Sequence, residues 1–510
     1  MKQTTDACKA DAAAQVLPAA GRGQRAPACR RTAAVAMILG GGCLVVLDGC
    51  RTVGPDYRGP PAAALVNAPA AQGPFISASG SQFSQEPAPD AWWRLYDSTP
   101  LDQLVSEALA ANTDLREARA NLERSAALLE QVRAQRQPMA TVAFDPSYQQ
   151  LSAESYLHPG SVSPTGLYDT GLSVSYDLDL FGRLRRAVEV AKADDEAVKA
   201  AYDLTKINVA AETARAYAEV CNAGEQLAVA HRSLQLQLRS TAVTERLVEA
   251  GRASKLDFTR SSGLAAQISA NIPSLEAQRS NSLYRLAALT GHPPSEYPRS
   301  VESCSQAPRV RQPIPVGDGM TLLRRRPDVR EAERQLAAAT ARIGVATADL
   351  YPDVTLGVSA GSTGALTDIL TSPTNRYGIG MGIHWQANQS VARARIKAAG
   401  AAATGALANF DGVVLKALRD TEIALTTYAR DKLRDEDLGT AQARAAQAEN
   451  EAQQLYDGGK ADFLSLLDAQ RTVASADGAL AASHAQLATD QVAVFLTLGG
   501  GWEVDEISAR

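Results

Sequence analysis

The sequence predicts a mainly α-helical chain that also carries strands of a membrane β-barrel. The chain is built as two tandem copies of one unit: helix, β-hairpin, then a long helical hairpin. Three observations predict it. The first is composition: 510 residues contain only 8 Phe, 4 Trp and 5 Met, while Ala, Leu, Gln, Arg and Glu dominate long stretches, the makeup of long helices packed through small side chains. The second is self-similarity. Asp114-Leu115-Arg116-Glu117-Ala118 returns as Asp328-Val329-Arg330-Glu331-Ala332, and the same displacement carries Leu122 onto Leu336 and Pro138 onto Pro352. Leu247, Gly251 and Ala253 likewise return as Leu455, Gly459 and Ala461, and Gly291 falls on Gly499. The third is a change of period, from helical spacing to strict alternation and back, within each copy.

The N-terminus specifies export. Arg22, Arg25, Arg30 and Arg31 precede an apolar run from Thr32 to Leu47, the length of a secretory core and too short to span a bilayer comfortably. The run ends in Leu47-Asp48-Gly49-Cys50, which is similar to a bacterial lipobox despite its Asp48. Residues 1–49 are therefore expected to be a lipoprotein signal peptide and Cys50 the acylated first residue, anchored in lipid without a membrane-spanning helix. Arg51, rather than an acid, follows the cysteine, which fits sorting to the outer membrane. Residues 50–91, rich in Pro, Ala, Gly and Ser, read as an extended tether.

The first copy is expected over 92–300. Leu101, Leu104, Val105, Ala108 and Leu109 begin a helix over 101–137 that Pro138 must stop. Strands follow at 139–146 and 168–180. In the second, Leu172, Val174, Tyr176, Leu178 and Leu180 alternate with Ser173, Ser175, Asp177 and Asp179, the pattern of a wall between lipid and water. From Phe181 to Ala250 there is no Pro, and about 70 helical residues would extend on the order of 100 Å. A turn at Gly251–Ser254 reverses the chain into a helix reaching Gly291, with a kink expected at Pro273. A linker at 301–320 leads to the second copy, 321–498. That copy has a helix at 321–350, strands near 353–360 and 377–386, a helix from 388 to 455, a turn at Gly458-Gly459 and a helix at 461–498. Residues 499–510 form a tail.

About four barrel strands per chain cannot close alone, because open edges find no hydrogen-bond partners in lipid. Two copies would give eight strands and three would give twelve; geometry alone does not choose.

The ordered motifs resemble those of the outer-membrane efflux lipoproteins, the NodT-type branch of the TolC-like family. They are Val53-Gly54-Pro55-Asp56-Tyr57, Trp92-Trp93 with Leu95-Tyr96-Asp97, and Tyr176 through Arg183 (YDLDLFGR). Arg325-Arg326-Pro327-Asp328-Val329, Ile343-Gly344-Val345-Ala346 before Tyr351-Pro352, and Gly499-Gly500-Gly501-Trp502 complete the series. The resemblance covers nearly the whole mature chain. It implies a homotrimer with a twelve-stranded outer-membrane barrel, continued by a periplasmic α-helical barrel. Its partners would be outer-membrane lipid, a periplasmic adaptor protein and an inner-membrane pump of the RND type, and its role that of the exit duct. One segment departs from the family: Ile383-His384-Trp385-Gln386-Ala387-Asn388-Gln389-Ser390 stands where a Pro-Ile-Phe-x-x-Gly-Gly-Arg type motif is usual.

A duct needs a seal that opens, and the places for it are the two helical reversals at 251–257 and 456–468. By similarity, Asp257 supplies a carboxylate near the constriction, Tyr456 packs against it, and Asp468 contributes to an acidic ring. The second acid of that ring is replaced here by Ser465. The usual basic partner is replaced by Ala461, with Lys460 nearest. Asp257 and Asp468 also fit plain early-turn acids favoured by helix dipoles. Arg324-Arg325-Arg326 before Pro327 reads as a helix start rather than a phosphate site.

Other classes are disfavoured. A net charge of −5 with both signs interspersed leaves no basic footprint for nucleic acid. His158, His231, His292, His384 and His484 are scattered, and Cys8, Cys29, Cys43, Cys50, Cys221 and Cys304 form no CxxC. No enzyme, metal site or cofactor is expected. A Cys221–Cys304 disulfide stays open. The main rival is a periplasmic adaptor or structural coiled-coil lipoprotein, but an adaptor normally has one helical hairpin and soluble β domains.

Overall fold

The computed structural model describes residues 52–500 apart from 151, 153, 155–159 and 307. The signal segment, Cys50 and the tail from Gly501 lie outside the described residues.

The helices and strands repeat in two copies. The first contains α1 (Thr99–Ala111), α2 (Thr113–Ala134), β1 (Met139–Gln149), β2 (Thr165–Asp177), α3 (Arg183–Glu249) and α4 (Lys255–Leu289). The second contains α5 (Gly319–Arg325), α6 (Pro327–Ala348), β3 (Asp353–Ala365), β4 (Asn375–His384), α7 (Ser390–Asp457) and α8 (Phe463–Thr497). Matching helices have matching lengths: α2 and α6 have 22 residues each, α3 and α7 have 67 and 68, and α4 and α8 have 35 each.

Two expected single helices are broken. At Asn112 the backbone leaves the helix, and the side chain caps α2 by accepting from the N–H groups of Asp114 (2.9 Å) and Leu115 (3.2 Å). Its Nδ2 also donates to Leu289 O at the end of α4 (3.1 Å), so the break is tied to tertiary packing. In the second copy Pro327 opens α6. The arginines before it bind protein: Arg325 pairs with Asp90, and Arg326 reaches Asp328 and Thr497 O (2.7 Å). Pro273 is carried inside the continuous α4.

The four long strands form one antiparallel sheet in the order β1-β2-β3-β4. The register puts Val142 beside Leu172 beside Ala360 beside Tyr377, and Val174 beside Val358 beside Ile379. One face is therefore aliphatic and aromatic, while the other carries Ser173, Ser359, Thr355 and several glycines. The apolar face is solvent-exposed in the single chain: Val142 and Ile379 are each 78% exposed. Its place is against lipid, with the small polar face toward a lumen. The strand expected to run to 180 ends at Asp177, because Asp179 adopts a positive φ of 43° and turns the chain into α3. Its carboxylate caps that helix through the N–H groups of Leu184 (2.8 Å) and Arg185 (3.0 Å). Leu178 and Leu180 thus belong to the turn. The divergent second passage also turns cleanly. Trp385 Nε1 donates to Leu350 O (3.0 Å), and Asn388 Oδ1 accepts from Ser390 N–H (3.1 Å) at the start of α7.

Residues 52–91, expected as an extended tether, form a strap packed along the body. Scattered apolar residues with no period, among them Ala64, Ala71, Phe75 and Phe83, are buried and hold it down. Val53 N–H donates to Phe181 O (3.1 Å), and the buried Arg186 donates to Val53 O (3.0 Å), Gly54 O (3.1 Å) and Asp56 (2.6 Å). A Cβ on Gly54 would lie 2.4 Å from the Gly344 Cα, so two backbones meet where any larger residue would collide. Further along, Phe83–Ser84 pairs in parallel with Ile314–Pro315.

The largest core lies midway along the helices. Trp92, fully buried, stacks on Phe495 at 4.9 Å, with Tyr217, Leu286, Leu425 and Tyr428 in the same cluster. Beside it Cys221 on α3 is disulfide-bonded to Cys304 on the linker, a pairing the sequence left open.

Candidate functional site

At the end of α3 the chain reverses through Gly251 (φ +68°), and at the end of α7 through Gly459 (φ +66°), a conformation that glycine adopts at little cost. The hydrogen bonds coincide as well. Arg252 and Ala253 N–H donate to Leu247 O at 2.7 and 3.2 Å, and Lys460 and Ala461 N–H to Leu455 O at 2.8 and 3.2 Å. Each return helix is then capped by its own sequence. Ser254 and Asp257 form a reciprocal capping box on α4, with Ser254 N–H donating to Asp257 Oδ2 at 3.2 Å. On α8 the roles are exchanged: Asp462 is the cap, accepting from Ser465 N–H (3.0 Å) and from Ser465 Oγ–H (2.5 Å). The carboxylate of Asp462 is held below its usual pKa by those two bonds.

Tyr456, half-buried near the end of α7, meets Phe463 edge-on (ring centroids 5.9 Å). Both belong to an apolar clasp with Leu264 and Ile268 of α4 and Leu467 of α8. Burial, then the nearby carboxylates of Asp257 and Asp457, push the Tyr456 phenol above its ordinary pKa. The structure thus brings Asp257 and Tyr456 into electrostatic reach across the two hairpins, with the Asp257 carboxylate hydrogen-bonded at its own helix cap. Asp468 is not part of this group. It is exposed on α8, and its carboxylate carries no hydrogen bond or ion pair among the described residues. Lys460 has no ion pair among them either.

Sequence reading missed the polar contacts within and between the hairpins above the tips. Ser240 on α3 hydrogen-bonds Gln470 on α8 (3.2 Å), and the buried Gln237 donates to Ser261 Oγ (2.9 Å) between α3 and α4. His484 on α8 lies 2.8 Å from Glu225 on α3 and 3.7 Å from Asp435 on α7. The only signal for these was a polar residue on an otherwise apolar helix face. No group of three or more potential metal ligands occurs among the described residues.

A four-stranded share of a membrane barrel, continued by two long helical hairpins whose tips meet in an apolar clasp, defines an outer-membrane exit duct. The model of the outer membrane efflux protein family matches residues 104–292 and 320–500, once for each copy, and the chain belongs to this family. Nodulation protein T of Rhizobium leguminosarum bv. viciae is 29% identical over 481 residues, covering 91% of this chain and 93% of its own. The pyoverdine export outer membrane protein OpmQ of Pseudomonas putida is 32% identical over 428 residues, covering 81% and 88%. Among solved structures, the outer-membrane channel OprN superposes with a TM-score of 0.82 at 34% identity, covering 89% of this chain and all of that one. The fold is that of the trimeric TolC-like channels, with four strands per chain toward a twelve-stranded barrel. The protein is an efflux channel of the outer membrane, in a family of channels rather than enzymes. The adaptor alternative fails on the two hairpins and the barrel sheet.

Proposed function

We propose that this chain forms a homotrimeric exit duct of a tripartite RND-type pump, docked at its helical tips by a periplasmic adaptor and anchored by acyl chains on Cys50. The observation that carries assembly is the open sheet, and the fold shared with the trimeric TolC-like channels supports three copies over two. β1 and β4 are edge strands with unpaired backbone groups beside an apolar face, and lipid tolerates such edges only when neighbouring chains pair them. The long helices agree. α7 exposes Leu415, Ile423 and Leu433, each more than half exposed, a surface that neighbouring chains would cover in a helical barrel.

The tips form the gate in this reading. Tyr456 and the clasp around Phe463 hold the hairpins together, Asp257 fixes the first return helix beside the phenol, and three copies of Asp468 ring the closed mouth. A narrow ring of carboxylates favours cations over anions. The test is single-channel conductance of the purified protein in planar bilayers, wild type against Asp257→Ala with Tyr456→Phe. Small cation-preferring events in wild type and several-fold larger conductance in the double variant are expected. Equal conductance in the two proteins sinks the gate assignment.

A further inference from the structure

We propose that the barrel carries a second charge filter at its outward mouth, made by Asp145, Asp169 and Arg376, which biases the charge of what leaves the duct. This rests on the trimeric tunnel reading. All three residues stand toward the hairpin ends of the strands, away from the helices, and on the lumen face. Asp145 lies directly opposite Asp169 in the β1–β2 register, and Arg376 of β4 opposes Gly361 of β3. The Arg376 guanidinium pairs with Asp169, and its Nε donates to Thr363 Oγ1 at 2.9 Å; that hydroxyl in turn donates to Asp169 at 2.9 Å. Asp145 is left out: its carboxylate has no hydrogen bond or ion pair among the described residues. Each chain therefore contributes two acids and one base, a net charge of −1 at this level, and three chains make a negative ring.

On the side toward the helices this ring stands well apart from other charges. Toward the helices, the lumen face carries glycine, alanine, serine, threonine and Met139 until Asp177 and Asp353 at the junction with α3. Asp169 and Asp177 are eight residues apart along one strand, about 26 Å. That is about three screening lengths at physiological salt. The tips lie a further 68-residue helix away, on the order of 100 Å. Twelve strands tilted by about 40° give a backbone radius of about 12 Å, so an inward Asp reaches to about 8 Å from the axis. This is comparable to the screening length, and the field of the ring covers the whole cross-section.

The experiment measures reversal potentials across a KCl gradient, on full-length trimers carrying the gate-opening pair Asp257→Ala and Tyr456→Phe. The comparison is with Asp145→Asn and with Arg376→Gln added. Each substitution changes three charges in the trimer; at about 8 Å through water, screened over about one Debye length, together they shift local ion occupancy roughly two- to threefold. Asp145→Asn should lower the potassium-to-chloride permeability ratio by about that factor, and Arg376→Gln, which frees the second carboxylate, should raise it. Opposite shifts cannot come from a loosened barrel. Should Arg376→Gln fail to assemble, Asp145→Asn decides alone, since among the described residues of its own chain that carboxylate has no partner to lose. Channels that conduct with unchanged ratios overturn the filter and leave the tunnel standing. Absence of conductance in every protein overturns the tunnel, and the filter with it.

Discussion

One side chain in the middle of the helical body couples it to protons. Asp490 on α8 is pushed up to about 6, first by burial and then by the Asp431 carboxylate on α7. The folded state therefore binds this proton more tightly than the unfolded chain does. Its stability falls as pH rises from about 4 to about 6, and the penalty persists above that range. Asp490→Asn, which keeps an acceptor for Gln486, should flatten the dependence of thermal unfolding on pH between 4 and 6. It should also raise stability at pH 7 by on the order of 1 kcal/mol, allowing for solvent screening. An unchanged pH profile in detergent-solubilised protein would show that burial of this carboxylate has no energetic consequence. His484, six residues earlier, links the same helix to carboxylates on α3 and α7.

Among elements, the linker and strap carry the least regular structure and are held by specific ties. The Cys221–Cys304 bond fastens the linker to α3 beside the largest core and closes a loop with a sequence separation of 83 residues. Cys304→Ser should lower unfolding stability by about 2–4 kcal/mol while leaving conductance intact. A variant that melts with wild type would show that the neighbouring core alone positions the linker. The elements whose order is local were legible in the sequence. Pro138 and Pro352 stopped helices, alternation marked the strands, and Gly251 and Gly459 marked the reversals. What depends on distant partners was not. Asn112 breaks a continuous helical pattern where its side chain caps α2 and donates to Leu289 O, nearly 180 residues away. The strap's anchoring residues have no period, and the cysteine pairing leaves no trace in spacing. At the site, the reversals were legible from their glycines. The approach of Asp257 to Tyr456 joins two hairpins nearly 200 residues apart, and only the family resemblance pointed to it. The clasp of Leu264, Ile268, Phe463 and Leu467 was hidden among ordinary helical apolar positions.

At the scale of the molecule, closure is the controlling requirement. Light scattering in detergent should give the mass of three chains; a stable monomer or dimer would refute the twelve-stranded barrel. The duplicated architecture makes each chain supply both kinds of hairpin, so a threefold assembly presents six tips. The pairs differ: one tip is capped by Ser254 with Asp257, the other by Asp462 with Ser465. The lumen face of the barrel sheet has a different consequence. Between its charged outer mouth and the junction with the helices, a wall of mostly glycine, alanine, serine and threonine offers a passing molecule no aromatic plate and few anchoring groups, so contact there is brief. Discrimination by shape is thereby left to whatever loads the conduit.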